Sequence, residues 1–454
     1  MLSVLALLVA VSCLIALANW RWGILAAVAI SFLQDPLRKM IPGAPAYMTM
    51  AASPIWLCAL TSAGFGGQLS IRRFFNCFPR LGKWARIFAA YLLVPAAISA
   101  TYGRNSWIIT VLGAFVYSVM FLMLVAGWSF PQRGFPLQRF LAFYGIVAAL
   151  MLAGGPLEAL GYQETTPLIG TEALGHVWVT HRTGAAVHML AGLFRSPDVM
   201  GWHAALVFMV GVILAFRSKG SARWFWIAVA VWGVLNIWLC GRRKMLSMLP
   251  IFFGCYALFV FRFKKVQKIL STSGTALLIL GLGWYLISSL FYDAAVERFY
   301  LTAFTEAEEQ IHRHGVQAVI GTVRQAGFWG YGLGMSQQGV HNLKNVEKPR
   351  TWQESGPGKL VAELGVPGNV LYLVLGVTLF ITAFQVVRLE QGRDSFYLSA
   401  GLFSVLVANV ASSVVSAQIF GDPFVAFLIA FLAGLLLSGA RAGPAPPPPP
   451  EAPP

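Results

Sequence analysis

Acidic residues are scarce: 17 Asp and Glu in 454 residues, within a charged fraction of only 11%. A soluble domain carries about 25% charged residues. The apolar fraction is 57% without glycine, and the mean hydropathy is +0.69. One globular core cannot enclose that much apolar sequence and leave a soluble surface, which excludes a water-soluble enzyme. Cysteine is also sparse. Cys13, Cys58, Cys77, Cys240 and Cys255 fall mostly inside apolar stretches with no CxxC pair, which speaks against a disulfide framework or a metal site. Lys and Arg number 33, for a net charge of +16. In a soluble protein that excess would suggest nucleic acid. Here it is first weighed against membrane topology.

A membrane-spanning helix needs roughly 20 mostly apolar residues. About thirteen runs approach this length. They cover 2–19, 22–34, 46–65, 84–101, 106–128, 139–156, 200–216, 222–240, 245–262, 272–292, 366–388, 396–414 and 419–440. The first has no basic region before it and leads straight into the second, so it does not read as a cleaved leader. The run at 22–34 is short and reads as a re-entrant candidate. The expected fold is an all-α polytopic integral membrane protein of 12–13 transmembrane helices with two long outer loops. Helices fill 1–156, 200–292 and 366–440, and outer loops fill 157–199 and 293–365. A basic outer turn lies at 241–244, and a proline-rich tail follows at 441–454.

The basic residues orient this topology. Arg72, Arg73, Arg80, Lys83 and Arg86 crowd one loop, Arg217, Lys219 and Arg223 a second, and Arg262, Lys264, Lys265 and Lys268 a third. All fall on one side, with Arg21, Arg133, Arg139, Arg388, Arg393 and Arg441. By the positive-inside rule that side is the cytoplasm. It holds 18 basic residues against Glu390, Asp394 and Glu451, a net +15, which leaves +1 outside. The charge therefore reads as a topology signal, and no nucleic-acid partner is needed. All seven histidines (His176, His181, His188, His203, His312, His314 and His341) lie in the outer segments or just beyond. Histidine titrates near neutrality, so the chemistry is expected outside.

The basic turn Gly241-Arg242-Arg243-Lys244 breaks the charge trend, since three cations stand together at the outer end of a span. Cations held at a membrane boundary are costly unless they pair or bind. Phosphate or diphosphate suits them, because arginine offers a planar fork of donors; the alternative is headgroup snorkelling. Arg182 and Arg195 form a second outer cluster, within His181–His188 and Gly192–Asp198. There Ser196 or Asp198 can cap the next helix, and Arg195 can pair with Asp198. The large loop carries Arg324, Phe328, Trp329 and Tyr331 among the glycines of 327–339, then Glu354, Lys359 and Glu363. No GK[ST] follows a strand, so these glycines do not mark a nucleotide site. They read as tight turns where backbone meets a bulky glycan, with rings that stack on sugars or form an interfacial belt. Glu354, nine residues before Glu363, is a candidate general base if its surroundings are apolar, or else a helix-cap carboxylate.

The order of these motifs resembles the O-antigen ligase/polymerase family of bacterial membrane proteins. The parts are Gly192–Pro197 opening a helix, the basic turn Gly241–Lys244, Gly330–Gly334, Glu354-Ser355, and Glu363–Gly365 opening the next span. The resemblance covers roughly residues 185–390 and implies a GT-C-like fold in the bacterial inner membrane with periplasmic catalytic loops. It implies transfer or polymerisation of an undecaprenyl-diphosphate-linked oligosaccharide, with neither metal nor nucleotide cofactor. Membrane lipids, a flippase and a chain-length regulator are the implied partners. By the same resemblance Arg195, Arg242, Arg243, Lys244 and Arg182 hold the diphosphate, and Glu354 or His341 is the base. Arg324, Trp329, Tyr331, Lys359 and Glu363 contact glycan. Ligases carry a histidine where this chain has Glu354, and His341-Asn342 stands further upstream. That departure points to a polymerase or an exopolysaccharide branch rather than a ligase. A transporter or flippase for the same lipid, or a noncatalytic subunit of a glycan assembly complex, are the readings from other classes.

Overall fold

The structure, a computed structural model, describes the chain apart from residues 104, 133, 182, 183, 185, 264, 265, 337–354 and 443–454. Arg133, Lys264, Lys265 and the proline-rich tail thus lie outside the described residues. Helices dominate, as the apolar runs require: a backbone in lipid must satisfy its own hydrogen bonds. In chain order they begin with α1 (Leu2–Ala18), α2 (Trp20–Lys39), α3 (Ser53–Phe65), α4 (Ile71–Cys77) and α5 (Pro79–Tyr91). Next come α6 (Leu93–Ser99), α7 (Ser106–Ser129), α8 (Leu137–Met151), α9 (Gly154–Ala159) and α10 (Pro197–Arg217). Then follow α11 (Gly220–Cys240), α12 (Arg243–Phe263), α13 (Val266–Leu290), α14 (Ala294–Thr305) and α15 (Ala307–Ile311). The series closes with α16 (Ala318–Ala326), α17 (Gly356–Leu389), α18 (Phe396–Ser413), α19 (Gln418–Gly421) and α20 (Pro423–Leu437). The strands β1 (Val179–Thr180) and β2 (Val187–His188) pair antiparallel.

Among the described residues, ten helices are long and apolar enough to cross a membrane, which makes this a multi-pass membrane protein. Ten of the thirteen expected runs correspond to them. The other three fall in α1, α2 and α13. Helix α1 has 17 residues, and the apolar stretch described within α13 is Leu278–Leu290. Helix α2 carries Arg21, Asp35, Arg38 and Lys39. It is a helix of 20 residues, longer than the expected run at 22–34. The side chain of Asn19 caps its first amides, and α2 folds back on α1 where Gly23 meets Ala16.

Helix starts follow the capping rules legible in the chain. Ser196 and Pro197 open α10, Ser355 and Pro357 open α17, and Asp422 and Pro423 open α20. In each the polar side chain accepts an otherwise unpaired amide, and proline occupies a position that needs no N–H. Helix α17 starts at Gly356, ahead of the expected 366, and is kinked at Gly365, where φ is 68°. Helix α10 runs through the middle of the bundle, buried almost along its whole length. At 21 residues it is about 30 Å long, so Arg195 and Arg217 stand at opposite ends of the molecule. The end that carries Arg195 also gathers the α11–α12 turn, the end of α2, and the starts of α17 and α20.

Candidate functional site

The segment Gly192-Leu-Phe-Arg-Ser-Pro197 is mostly a folding device. Gly192 has φ of 58°, and a Cβ there would fall 2.7 Å from the Gly155 nitrogen, so only glycine fits. Its amide and that of Ala191 donate to Glu158, and its carbonyl accepts from Lys39 Nζ at 2.9 Å. Phe194 stacks on His203 in the core, and Ser196 caps α10 by accepting the Val199 amide. Arg195 alone has no local task. Its guanidinium reaches across the bundle to Asp35 of α2 at 3.2 Å and to Asp422 before α20. Burial works against the charge of Arg195, but Asp422 and Asp35 outweigh it and raise its pKa above the ordinary value. The partners are therefore not Asp198, and it is Ser196 that provides the cap.

Asp198 instead serves the basic turn. Gly241 ends α11 in the left-handed region (φ 65°), the usual glycine stop. The chain then presents three cations beside the start of α10. Arg242 lies 2.8 Å from Asp198, and Lys244 Nζ lies 2.6 Å from its other oxygen. The guanidinium of Arg242 also sits 5.1 Å over the ring of Trp178, which the β1–β2 hairpin carries across the turn. The Nε of Arg242 is buried and has no hydrogen-bond partner among the described residues. Its terminal nitrogen near Asp198 has ion-pair distance without hydrogen-bond geometry. Arg243 turns the other way, to Thr302 and to Glu306 at 3.0 Å, with the Phe299 ring 4.7 Å beneath it. Among the described residues these three cations face two carboxylates, Asp198 and Glu306, one positive charge more than negative.

Lys359 and Glu363 lie one turn apart on α17, and both are enclosed by protein. Lys359 Nζ donates to the Phe420 carbonyl at 2.6 Å and lies 4.0 Å from Glu363. Glu363 accepts from the Tyr117 hydroxyl at 2.9 Å and from the Ser336 amide at 3.2 Å. Lys39 is likewise enclosed; burial, only partly offset by Asp35 and Glu158, pushes its pKa down to about 8.

The glycines of the large loop meet protein backbone. A Cβ on Gly330 would fall 2.7 Å from the Gly365 nitrogen, one on Gly332 2.5 Å from the Ser99 nitrogen, and one on Gly334 2.4 Å from the Ile109 carbonyl. The close approach expected with a glycan is thus made to α6, α7 and α17. Trp329 and its neighbour Phe328 are both more than half exposed, while the Tyr331 hydroxyl donates to the Gln325 carbonyl. Arg324 is exposed on α16. The candidates Arg182, His341 and Glu354 lie outside the described residues.

The structure thus brings Arg242, Lys244 and, at the same helix start, Arg195 to one end of the bundle, each with its own carboxylate partners, while Arg243 links that end to α14. Asp35 and Asp422, and the pairing of Asp198 with Arg242 and Lys244, are what sequence reasoning missed. Their one signal was position: Asp35 and Asp422 are acids set against apolar runs, each followed by proline. No protein-family model matches the chain, and no curated protein matches it.

Proposed function

We propose that this protein is a glycosyltransferase that polymerises undecaprenyl-diphosphate-linked oligosaccharide repeats on the outer face of the inner membrane. The observation that carries the reading is Arg242: a half-buried arginine whose enclosed Nε has no hydrogen-bond partner among the described residues, in a turn where three cations meet two carboxylates among those residues. A buried unsatisfied donor costs about 1–3 kcal/mol, a cost that a diphosphate oxygen would remove. In the proposed reaction the acceptor hydroxyl oxygen attacks the anomeric carbon of the donor as the carbon–oxygen bond to the diphosphate breaks. The hydroxyl proton passes to Glu354 or His341, and undecaprenyl diphosphate leaves. Arg242, Arg243 and Lys244 stabilise the growing negative charge, the type of help worth about 100-fold or more in rate per donor. The flippase that delivers the donor and a chain-length regulator are the partners that such a reaction calls for.

The test incubates purified protein in detergent with lipid-linked repeats. Longer products are expected from the wild type, and none from Arg242→Ala with Arg243→Ala at equal protein level and melting temperature. Elongation by the double variant at the wild-type rate would sink the mechanism. Transfer to a lipid A core would instead identify a ligase.

One observation favours a second reading, a transporter for the same lipid. Lys359 and Glu363 form a buried charged pair inside a membrane-crossing helix, and intramembrane charges often mark transport paths. Movement of lipid-linked glycan between leaflets with no covalent change would establish it.

A further inference from the structure

The end of the bundle opposite the basic turn carries its own cations, at the α10–α11 connection, and the proposed reaction leaves them unused. Helix α11 has 21 residues, about 30 Å, so Arg223, in its first turn, stands far from Arg242. Arg217 is engaged by Asp394 at 3.8 Å. Arg223 has no carboxylate partner among the described residues. Its guanidinium donates to the Thr275 hydroxyl of α13 at 2.6 Å, and an arginine has five N–H groups to give.

Arg223 and Thr275 line a cleft of about 450 Å³ between α11 and α13. The two helices run in the same direction, since Arg223 meets Thr275 and, further along, Val234 meets Gly283. The cleft therefore has a polar end and an apolar end. One turn beyond Arg223 and Thr275 its walls are Ile227 and Leu278, and Leu278 opens the apolar stretch of α13. No carboxylate lines the cleft among the described residues. The space is open, because a Cβ on Gly220 or on Gly274 would meet no described atom within 4 Å. Trp224 and Leu278 are exposed on its rim. An exposed tryptophan at the end of a membrane helix belongs at the level of the lipid headgroups.

We infer that this cleft binds an anionic phospholipid from the leaflet at that end, with the phosphate on Arg223 and the first acyl methylenes against Ile227 and Leu278. Nothing in it depends on the function proposed above. The order of the walls selects an amphiphile: a cation at the helix end, then apolar surface toward the middle of the membrane. A peptide in the same place would bring backbone N–H and C=O groups that Ile227 and Leu278 cannot satisfy, and burying such groups unpaired is costly. Thr275 fixes the position of the guanidinium, and the lack of a wall carboxylate leaves the positive charge to the ligand. Basic pockets between membrane helices recognise anionic headgroups in this way.

The test is native mass spectrometry of the purified full chain with phosphatidylglycerol and with phosphatidylethanolamine. Phosphatidylglycerol should be retained about fivefold better, the ratio that one basic residue near a lipid surface brings. Arg223→Gln should remove that preference. Leu278→Trp, at an exposed wall position, leaves the charge but fills the cleft, and should remove it too. Both variants should melt as the wild type. Arg324→Gln, which changes an exposed arginine of α16, should keep the preference. Equal retention of the two lipids by the wild type overturns the assignment, as does a wild-type preference in either cleft variant. Loss of the preference in Arg324→Gln would show that net charge alone selects the lipid and would also overturn it. So would complete displacement of phosphatidylglycerol by inorganic phosphate, which would mark an anion site without a lipid tail.

Discussion

Arg195 and Arg242 flank the same helix start, yet the fold treats them differently. Arg195 is matched on both sides of its fork by Asp35 and Asp422, whereas a buried donor of Arg242 finds no acceptor among the described residues. Removing one partner of a buried pair costs roughly 3–5 kcal/mol because it strands the other charge. Asp422→Asn should therefore lower the melting temperature in detergent strongly, and an unchanged melt would show that the pair is dispensable. Arg242→Lys keeps the charge but loses the planar fork. It should melt as wild type while elongation falls about tenfold or more. Lys39 adds a pH dependence. Its pKa in the folded protein, about 8, lies below the free-lysine value of 10.5. Between those values the unfolded chain holds a proton that the folded protein has released, so the contribution of Lys39 to stability rises with pH across that window. The rise is on the order of 3 kcal/mol at most. Melting of the wild type relative to Lys39→Met, compared at pH 7.5 and pH 10 (roughly the two ends of that window), should show it. A constant difference would contradict the burial of this amine.

At the scale of elements, the cap at Ser196-Pro197 was legible in the chain, and the packing glycines were not. Ser355-Gly-Pro357 and Asp422-Pro423 use the same device, but the spans they open were expected to start at 366 and 419. Gly127 and Gly434 look like the many other glycines, yet they bring α7 and α20 together. A Cβ on Gly127 would fall 2.1 Å from the Phe431 carbonyl, and one on Gly434 2.0 Å from that of Leu124. Small residues let membrane helices approach so closely. Gly127→Val should thus abolish the folded protein in detergent, judged by monodisperse elution. Gly254→Val, where nothing stands within 4 Å, should elute like the wild type; equal behaviour of the two would refute the contact. The loop glycines show the same limit. Gly330, Gly332 and Gly334 were expected to admit a glycan, because a sequence shows that backbone must approach something but not what that something is.

For the whole molecule, opposite ends of α10 carry Arg195 and Arg217, so the basic turn and the α10–α11 connection lie on opposite sides of any membrane the bundle spans. In a cysteine-free background, Lys244→Cys and Lys219→Cys should be labelled by an impermeant thiol reagent from opposite sides, with position 244 outside. Labelling of both from one side would contradict the fold, and position 244 inside would contradict the orientation. The chain by itself determined the positions of ten of its thirteen expected spans, the cap at Ser196 and the clustering of three cations in one turn. Each depends on neighbours in sequence: the transfer of a contiguous apolar run into lipid, a capping oxygen within reach of the next amides, adjacent charges. Only the tertiary structure decided that Arg195 meets Asp422, 227 positions away. It alone decided that Lys359 and Glu363 turn inward and that a buried donor of Arg242 meets no acceptor among the described residues. Those pairings follow from which helix ends pack together, and that depends on shape and small-residue contacts between distant segments.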